Sequence, residues 1–113
     1  MAAEVSREPA RDPQDLEWLL VSRQRAGDVD GMVAVYEPNA VLDFGGGRLT
    51  LGKEAIRTFY AGLVATGKQR ACIVTGDLAL TSTRLPDGSV TAEVARRQGD
   101  GTWLWVIDQF SMA

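Results

Sequence analysis

TWLWVIDQFSM, residues 102–112, is the most apolar run of the 113-residue chain, and it follows the turn Gly99-Asp100-Gly101. β-branched and aromatic residues dominate the run, so its composition predicts a strand. Side chains alternate between the two faces of a strand, and both faces of this one are mostly apolar. A strand that is covered on both faces is typically central in its sheet. We therefore predict that this strand is the centre of the fold.

One carboxylate, Asp108, lies in the middle of this apolar run. An unpaired buried charge costs several kcal/mol or takes up a proton, so Asp108 must have a partner or face a cavity. Strict alternation predicts an inward face and an outward face. The inward face holds Leu104, Val106, Asp108 and Phe110, and the outward face holds Trp103, Trp105 and Ile107.

The overall composition indicates one ordinary globular domain, with 45% hydrophobic and 24% charged residues and a net charge of −3. Scattered basic residues argue against a nucleic-acid surface, and no apolar run reaches the length of a membrane span. We predict a cytoplasmic protein that binds neither nucleic acid nor membrane. Cys72 is the only cysteine and histidine is absent, so we expect no metal and no cofactor. Carboxylates, tyrosines, lysines or the thiol would carry any acid–base chemistry.

Helices are predicted before strands, which is an α+β order. Residues 1–11 are predicted to form a frayed tail, and residues 12–113 are predicted to form a single domain. A first helix begins at Asp12 and ends at Gly27, as a cap residue and a glycine at the two ends indicate. Asp28 begins a shorter helix that carries Tyr36 on one face and ends before Pro38. The remaining elements are a third helix over 53–66 and strands over 40–44, 48–51, 69–75, 78–85 and 90–97.

Two features organise the predicted strands of the second half. Pro86-Asp87-Gly88 is a strong hairpin signal. The strands over 69–75 and 78–85 are either separate or one strand bent by a bulge at Gly76. The whole pattern predicts helices packed on one face of a curved, mostly antiparallel sheet.

Particular segments carry a resemblance to a known family. GDVDGMVAVYEPNAVLDFGGG (27–47) followed by LGKEAIRTFYAGL (51–63) resembles the ketosteroid isomerase and SnoaL-like branch of the nuclear-transport-factor-2-like (NTF2-like) superfamily. The resemblance covers residues 16–112 and implies a cone-shaped fold with three helices on a highly curved sheet. That superfamily includes isomerases, cyclases, dehydratases, epoxide hydrolases and non-catalytic modules, so the fold alone does not settle function.

The resemblance also implies site residues. The general base of the isomerases corresponds to Asp43 when residues are counted back from Gly52, and to Phe44 when they are counted forward from Ala40. Their second acid falls on Glu93. Asp108 lies where several SnoaL-like and YybH-like proteins carry an acid that faces the cavity. Their tyrosine oxyanion donor falls on Leu20, so authentic ketosteroid isomerase activity is not expected.

Resemblance and strand alternation together imply a ligand pocket lined by apolar and aromatic side chains. The expected lining is Leu20, Tyr36, Phe44, Phe59, Tyr60, Leu104, Val106 and Phe110. In one hypothesis Asp43, Asp108 and Glu93 perform cofactor-free acid–base chemistry on an apolar small molecule. In the other, the chain is a non-catalytic ligand-binding or dimerisation module.

Convergence of Asp43 and Asp108 on one cavity would distinguish these two hypotheses. Pairing of the carboxylates with arginines at the rim is the structural alternative; the candidates are Arg48, Arg84, Arg96 and Arg97. A homodimer through the outer face of the sheet is also expected, because exposed Trp103, Trp105 and Ile107 would form a patch that monomers seldom tolerate.

Overall fold

Two helices and an eight-stranded sheet form the computed structural model, which describes residues 8–43, 49–51 and 67–112. The elements are α1 (Asp15–Arg25), α2 (Val29–Val33), β1 (Tyr36–Asp43), β2 (Leu49–Leu51), β3 (Lys68–Gln69), β4 (Ile73–Thr75), β5 (Leu78–Thr81), β6 (Thr83–Arg84), β7 (Val90–Arg97) and β8 (Trp103–Met112). The predicted third helix, with Phe59 and Tyr60, lies outside the described residues, as does Phe44. Neither described helix is long and apolar enough to cross a membrane.

The strand formed by the apolar run is central in the sheet, as predicted. The main strand order is β2-β1-β8-β7-β5-β4, and β6 joins β3 to β7. β8 is parallel to β1 on one side and antiparallel to β7 on the other. The other strand pairs are antiparallel, so the sheet is mixed.

Local signals explain where α1 ends and where α2 begins. The Asp12 carboxylate accepts a hydrogen bond from Gln14 N at 2.9 Å just before α1, and Gly27 follows α1 with a φ of 74°. A left-handed backbone conformation is unfavourable for a residue with a side chain, whereas glycine adopts it without steric cost. The Asp28 carboxylate then accepts from Gly31 N at 3.1 Å and caps α2. The predicted cap at Asp28 and the glycine at the end of α1 are confirmed. Asp12 as N-cap was wrong, because α1 begins at Asp15 after Gln14 and has no side-chain cap.

The predicted second helix is too long, because it included Tyr36 and was expected to end only before Pro38. α2 ends at Val33, and both residues belong to β1 rather than to the helix. Tyr36 pairs with Trp105 of β8, and the register between β1 and β8 then shifts before Val41. Proline lacks an N–H donor, so an irregular stretch of strand accommodates Pro38 where regular pairing would not.

The predictions for the two turns in the second half of the chain have different outcomes. Ile73 pairs with Leu80, and Gly76, with a φ of 56°, lies in the turn between β4 and β5. The prediction of one strand bent at Gly76 was therefore wrong, because the chain reverses direction at Gly76. The hairpin at residues 86–88 is confirmed: Arg84 pairs with Val90 across it.

A bulge in β8 corrects the predicted faces of the central strand. Val94 pairs with Ile107 and the next residue, Ala95, pairs with Trp105, so β8 takes two residue steps where β7 takes one. The extra residue reverses the alternation. Trp105 is fully buried, whereas Ile107 is 51% exposed. The outward position of Ile107 is confirmed, and those of Trp103 and Trp105 were wrong, since both tryptophans are buried.

The buried face of the sheet is built from cross-strand rows of side chains. One row runs from β5 to β1 through Ala79, Ala95, Trp105 and Tyr36. Its two alanines leave room for the large rings, whose centroids are 5.4 Å apart in a tilted contact. The apolar side chains of α1 and α2 in the same core are Leu16, Leu19, Leu20, Met32 and Val33.

The N-terminal segment packs against this core. Of the predicted tail, the structure describes residues 8–11, and there Ala10 is buried and forms an antiparallel bridge with Trp103. The buried guanidinium of Arg23 donates to Gly31 O at 2.8 Å and to Glu8 O at 2.9 Å. Arg23 thus connects α1 both to α2 and to the N-terminal segment.

Candidate functional site

The candidate site is a second cross-strand row, next to the aromatic one. It contains Thr81 of β5, Glu93 of β7, Asp108 of β8 and Leu42 of β1. All four are buried, and Glu93 and Asp108 are only 3% and 4% exposed. Residues directly opposite each other in an antiparallel pair have Cβ atoms about 5 Å apart. The register therefore places two buried carboxyl groups side by side.

Polar groups of the two aromatic side chains in the neighbouring row form hydrogen bonds with this second row. The Tyr36 hydroxyl donates to Asp108 Oδ2 at 2.6 Å. The Trp105 Nε1–H donates to Thr81 Oγ1 at 3.0 Å, and the Thr81 hydroxyl donates to Glu93 Oε1 at 2.6 Å. Each carboxyl group is thus held by a hydroxyl group in a largely apolar setting.

The environment of Glu93 favours its protonated form. Burial is the main cause that raises its pKa from 4.5 to about 8, and the negative charge of Asp108 adds to it. A smaller contribution comes from Glu17, while hydrogen bonds from Thr81 and Thr91 oppose the rise. At neutral pH Glu93 therefore holds a proton next to Asp108, which makes Glu93 a potential acid.

Glu17 is a third carboxylate at the site, and we did not predict it from the sequence. It is a half-buried residue of α1, and burial followed by the charge of Asp108 raises its pKa to about 7. Helical spacing places it one turn before Leu20, the position at which the isomerases carry the tyrosine donor that this chain lacks. An acidic residue so close to the apolar stripe of α1 was the available signal.

The other predicted catalytic residue, Asp43, is not brought into the row. It pairs with Gln109 and directly follows the buried Leu42. Alternation along β1 therefore turns Asp43 to the face opposite Asp108. The register does not give the shared pocket that we expected for these two aspartates.

The predicted pocket residues are distributed as follows. Leu20 and Tyr36 are buried in the core, and Leu104 and Val106 are half-buried. Val106 is the extra residue of the bulge, so it does not follow the simple alternation. The side chain of Phe110 lies outside the described residues.

Two of the arginines considered as partners for the carboxylates bind elsewhere. Arg96 Nε lies 3.0 Å from Glu37 Oε2, and Arg97 pairs with Asp77. Arg48 lies outside the described residues. Among residues 8–43, 49–51 and 67–112, no group of three or more acidic or cysteine side chains has a geometry that could hold a metal ion.

Solved structures resemble this chain closely in fold. A ketosteroid isomerase-like protein from Erwinia carotovora aligns over 85% of this chain and 89% of its own, with 16% identity and a TM-score of 0.66. An NTF2-like protein with a cystatin-like fold from Novosphingobium aromaticivorans aligns over 85% and 76%, with 16% identity and a TM-score of 0.67. An NTF2-like protein of unknown function from Pseudomonas putida aligns over 85% and 80%, with 22% identity and a TM-score of 0.63. These likenesses show the NTF2-like fold.

No match was found among curated proteins. The family model that describes the SnoaL-like domain, in contrast, matches residues 20–113. That match includes the central strand, the carboxyl pair and Tyr36, and it agrees with the resemblance of residues 27–47 and 51–63. The chain therefore belongs to the SnoaL-like domain family.

Proposed function

We propose that this protein carries out cofactor-free acid–base chemistry on a largely apolar small molecule, with Glu93 and Asp108 as the acid and the base. The observation that carries this proposal is the buried cross-strand pair of these two residues. Burial and a neighbouring negative charge raise the pKa of Glu93 to about 8, so one carboxyl group keeps its proton near neutrality. Such an arrangement allows proton transfer between carboxyl groups in a chain without histidine.

A proton shift next to a carbonyl group suits this pair. The Asp108 carboxylate would take a proton from the carbon beside the carbonyl group, while the Glu93 O–H donates a hydrogen bond to the carbonyl oxygen. The proton held by Asp108 can exchange with water, and return of a proton from Asp108 to a more distant carbon moves the double bond and restores both carboxyl groups. Cyclisation, dehydration and epoxide opening use the same two roles. Tyr36, at 2.6 Å from Asp108 Oδ2, would hold the base in position.

Proton exchange provides the test. A β,γ-unsaturated cyclohexenone and cyclohexene oxide are the probes, and NMR in deuterated water follows deuterium uptake, double-bond movement and ring opening. We expect Glu93→Gln and Asp108→Asn to slow the reaction at least about 100-fold, the usual contribution of a general acid or base. Asp43→Asn is the matched control and should keep the wild-type rate.

Binding of a probe without any reaction that depends on Glu93 or Asp108 would reject the enzyme proposal. The chain would then be a non-catalytic module that binds a small ligand. Equal loss of activity in Asp43→Asn would also contradict the assigned roles, because strand alternation separates Asp43 from the pair.

The proposal includes a homodimer formed through the outer face of the sheet. Ile73, Leu80, Val94 and Ile107 align in one row across four strands on that face. Three of them remain largely exposed: Ile73 at 65%, Leu80 at 44% and Ile107 at 51%. This row supports dimerisation in place of the two tryptophans, since an exposed apolar patch favours an isologous contact.

Light scattering on the purified protein tests the dimer. Wild type should have the mass of two chains at micromolar concentration, and Leu80→Lys or Ile107→Lys should have the mass of one. Trp18→Lys is the control, because Trp18 is 64% exposed on α1, away from this row. A monomeric wild type would contradict the assembly without bearing on the acid–base chemistry.

A further inference from the structure

The Thr81 hydroxyl lies between Trp105 and the proposed acid. Thr81 is 1% exposed, and its oxygen lies 3.0 Å from Trp105 Nε1 and 2.6 Å from Glu93 Oε1. Among the described residues these are the two hydrogen-bond partners of this hydroxyl. Because one partner is a reactive carboxyl group and the other is a rigid ring, the directions of the two bonds matter.

Donor and acceptor chemistry determines both directions. An indole N–H can only donate, so Thr81 Oγ1 is the acceptor in its bond with Trp105. The single proton of the Thr81 hydroxyl then has one available acceptor, Glu93 Oε1. Any other arrangement would leave a buried donor unsatisfied, which costs about 1–3 kcal/mol. Glu93 Oε1 is therefore the accepting, carbonyl-like oxygen of this carboxyl group.

We propose that Thr81 is a positioning residue which, held by Trp105, keeps Glu93 Oε1 as an acceptor and places the acidic proton of Glu93 on Oε2. This inference rests on the proposed function, in which Glu93 is the acid. Thr81 lies on the β5 side of Glu93 and Asp108 on the β8 side. The acidic O–H is thereby directed away from Thr81 and presented on the side of the base.

The effect on titration follows from the same bond. A hydrogen bond donated to a carboxylate stabilises its charged form, so the Thr81 hydroxyl lowers the pKa of Glu93 against the larger effect of burial. The charged groups that act on Glu93 are Asp108 of β8 and Glu17 of α1. Neither of these groups is altered when Thr81 is replaced, nor is Thr91, whose hydrogen bond also lowers the pKa of Glu93, so a shifted midpoint reports on the Thr81 hydroxyl.

Thr81→Val tests the inference, because valine keeps the shape of threonine and lacks the hydroxyl. Carboxyl-carbon NMR should show the titration midpoint of Glu93 moving upward by roughly one pH unit, since two or three such bonds lower a carboxylate by about two units. Thr81→Ser should restore the wild-type midpoint. The indole N–H signal of Trp105 should move in Thr81→Val and return in Thr81→Ser.

Thr83→Val is the matched control. Thr83 is also a buried threonine, at 2% exposed, and its Oγ1 has no hydrogen-bond partner among the described residues. Its replacement should leave the midpoint of Glu93 in place. An unchanged midpoint in Thr81→Val, or an equal shift in Thr83→Val, would overturn the inference.

The wild-type protein offers a second measurement that needs no variant. A donated hydroxyl proton in a buried bond exchanges slowly, so the Thr81 hydroxyl signal should be visible and show a nuclear Overhauser effect to the Glu93 side chain. Rapid exchange with water would overturn the inference, even if Thr81→Val does not fold.

The two proposals fail in different ways. A midpoint that responds to Thr81 without any probe turnover would remove the enzyme proposal and leave the positioning intact. Turnover that depends on Glu93, with a midpoint insensitive to Thr81, would remove the positioning alone.

Discussion

Replacement of Asp108 by asparagine should release Glu93 from most of the neighbouring negative charge. The pairing places the Cβ atoms of the two residues about 5 Å apart, and we take this as the separation of their charges. At that distance a unit charge contributes roughly 3 kcal/mol in an effective dielectric constant of about 20, or roughly two pKa units. Burial is the larger cause of the raised pKa and remains in the variant. We therefore expect the pKa of Glu93 to fall from about 8 to roughly 6 and to stay above 4.5.

Carboxyl-carbon NMR on glutamate-labelled protein measures this change directly. The Glu93 signal is assigned by its loss in Glu93→Gln, and its chemical shift is followed between about pH 3 and pH 10, which spans the free and raised values. Asparagine retains an oxygen that can accept the Tyr36 hydroxyl, so the local geometry should survive. Far-ultraviolet circular dichroism at each pH checks that the variant remains folded.

Asp43→Asn is the control for the same loss of one negative charge. Asp43 lies outside the buried row, so the midpoint of Glu93 should not move in this variant. An unchanged midpoint in Asp108→Asn would refute the coupling. A wild-type midpoint near 4.5 would refute the buried, protonated state of Glu93 altogether.

Three further predictions concern stability. The pKa of Glu93 is raised from 4.5 to about 8, so the stability that its proton contributes is complete below about pH 4.5 and is lost as the pH rises to about 8. In urea denaturation, the difference in the free energy of unfolding between Glu93→Gln and wild type should therefore grow in favour of Glu93→Gln across that pH range. Gly27→Ala should lower the free energy of unfolding by about 1 kcal/mol, because φ is 74° there, whereas Gly99→Ala should leave the thermal midpoint unchanged, since open space surrounds Gly99. Arg23→Met should cost roughly 2–4 kcal/mol in urea denaturation by leaving two carbonyl groups unsatisfied, and exposed Arg25→Met should cost little.

Short-range signals in the sequence were the most reliable ones. The cap at Asp28, the end of α1 near Gly27 and the hairpin at residues 86–88 depend on neighbours a few residues away. Their chemistry is the same in any tertiary context. Residues 27–47 and 51–63 also carried enough of the family pattern to identify the fold.

Side-chain faces were the least reliable predictions, and Trp105 shows why. Alternation is counted from one residue to the next, so a single extra residue reverses it. The bulge at Val106 appears only where β7 pairs with β8, and it makes Trp105 a partner of the buried Thr81. Asp43 was expected at the site from the family resemblance rather than from alternation, and its neighbour Leu42 is the residue that faces inward.

By itself the sequence determined that a central apolar strand exists, that it carries a buried carboxylate at Asp108, and that no histidine can share the chemistry. These facts follow from composition and local pattern. The family resemblance had already pointed to Glu93. Tertiary structure alone decided that Glu93 lies directly beside Asp108, that Glu17 joins them and that Asp43 faces the other way. The reason is physical: contacts between residues far apart in sequence depend on strand register and helix docking, which only the complete packed fold sets.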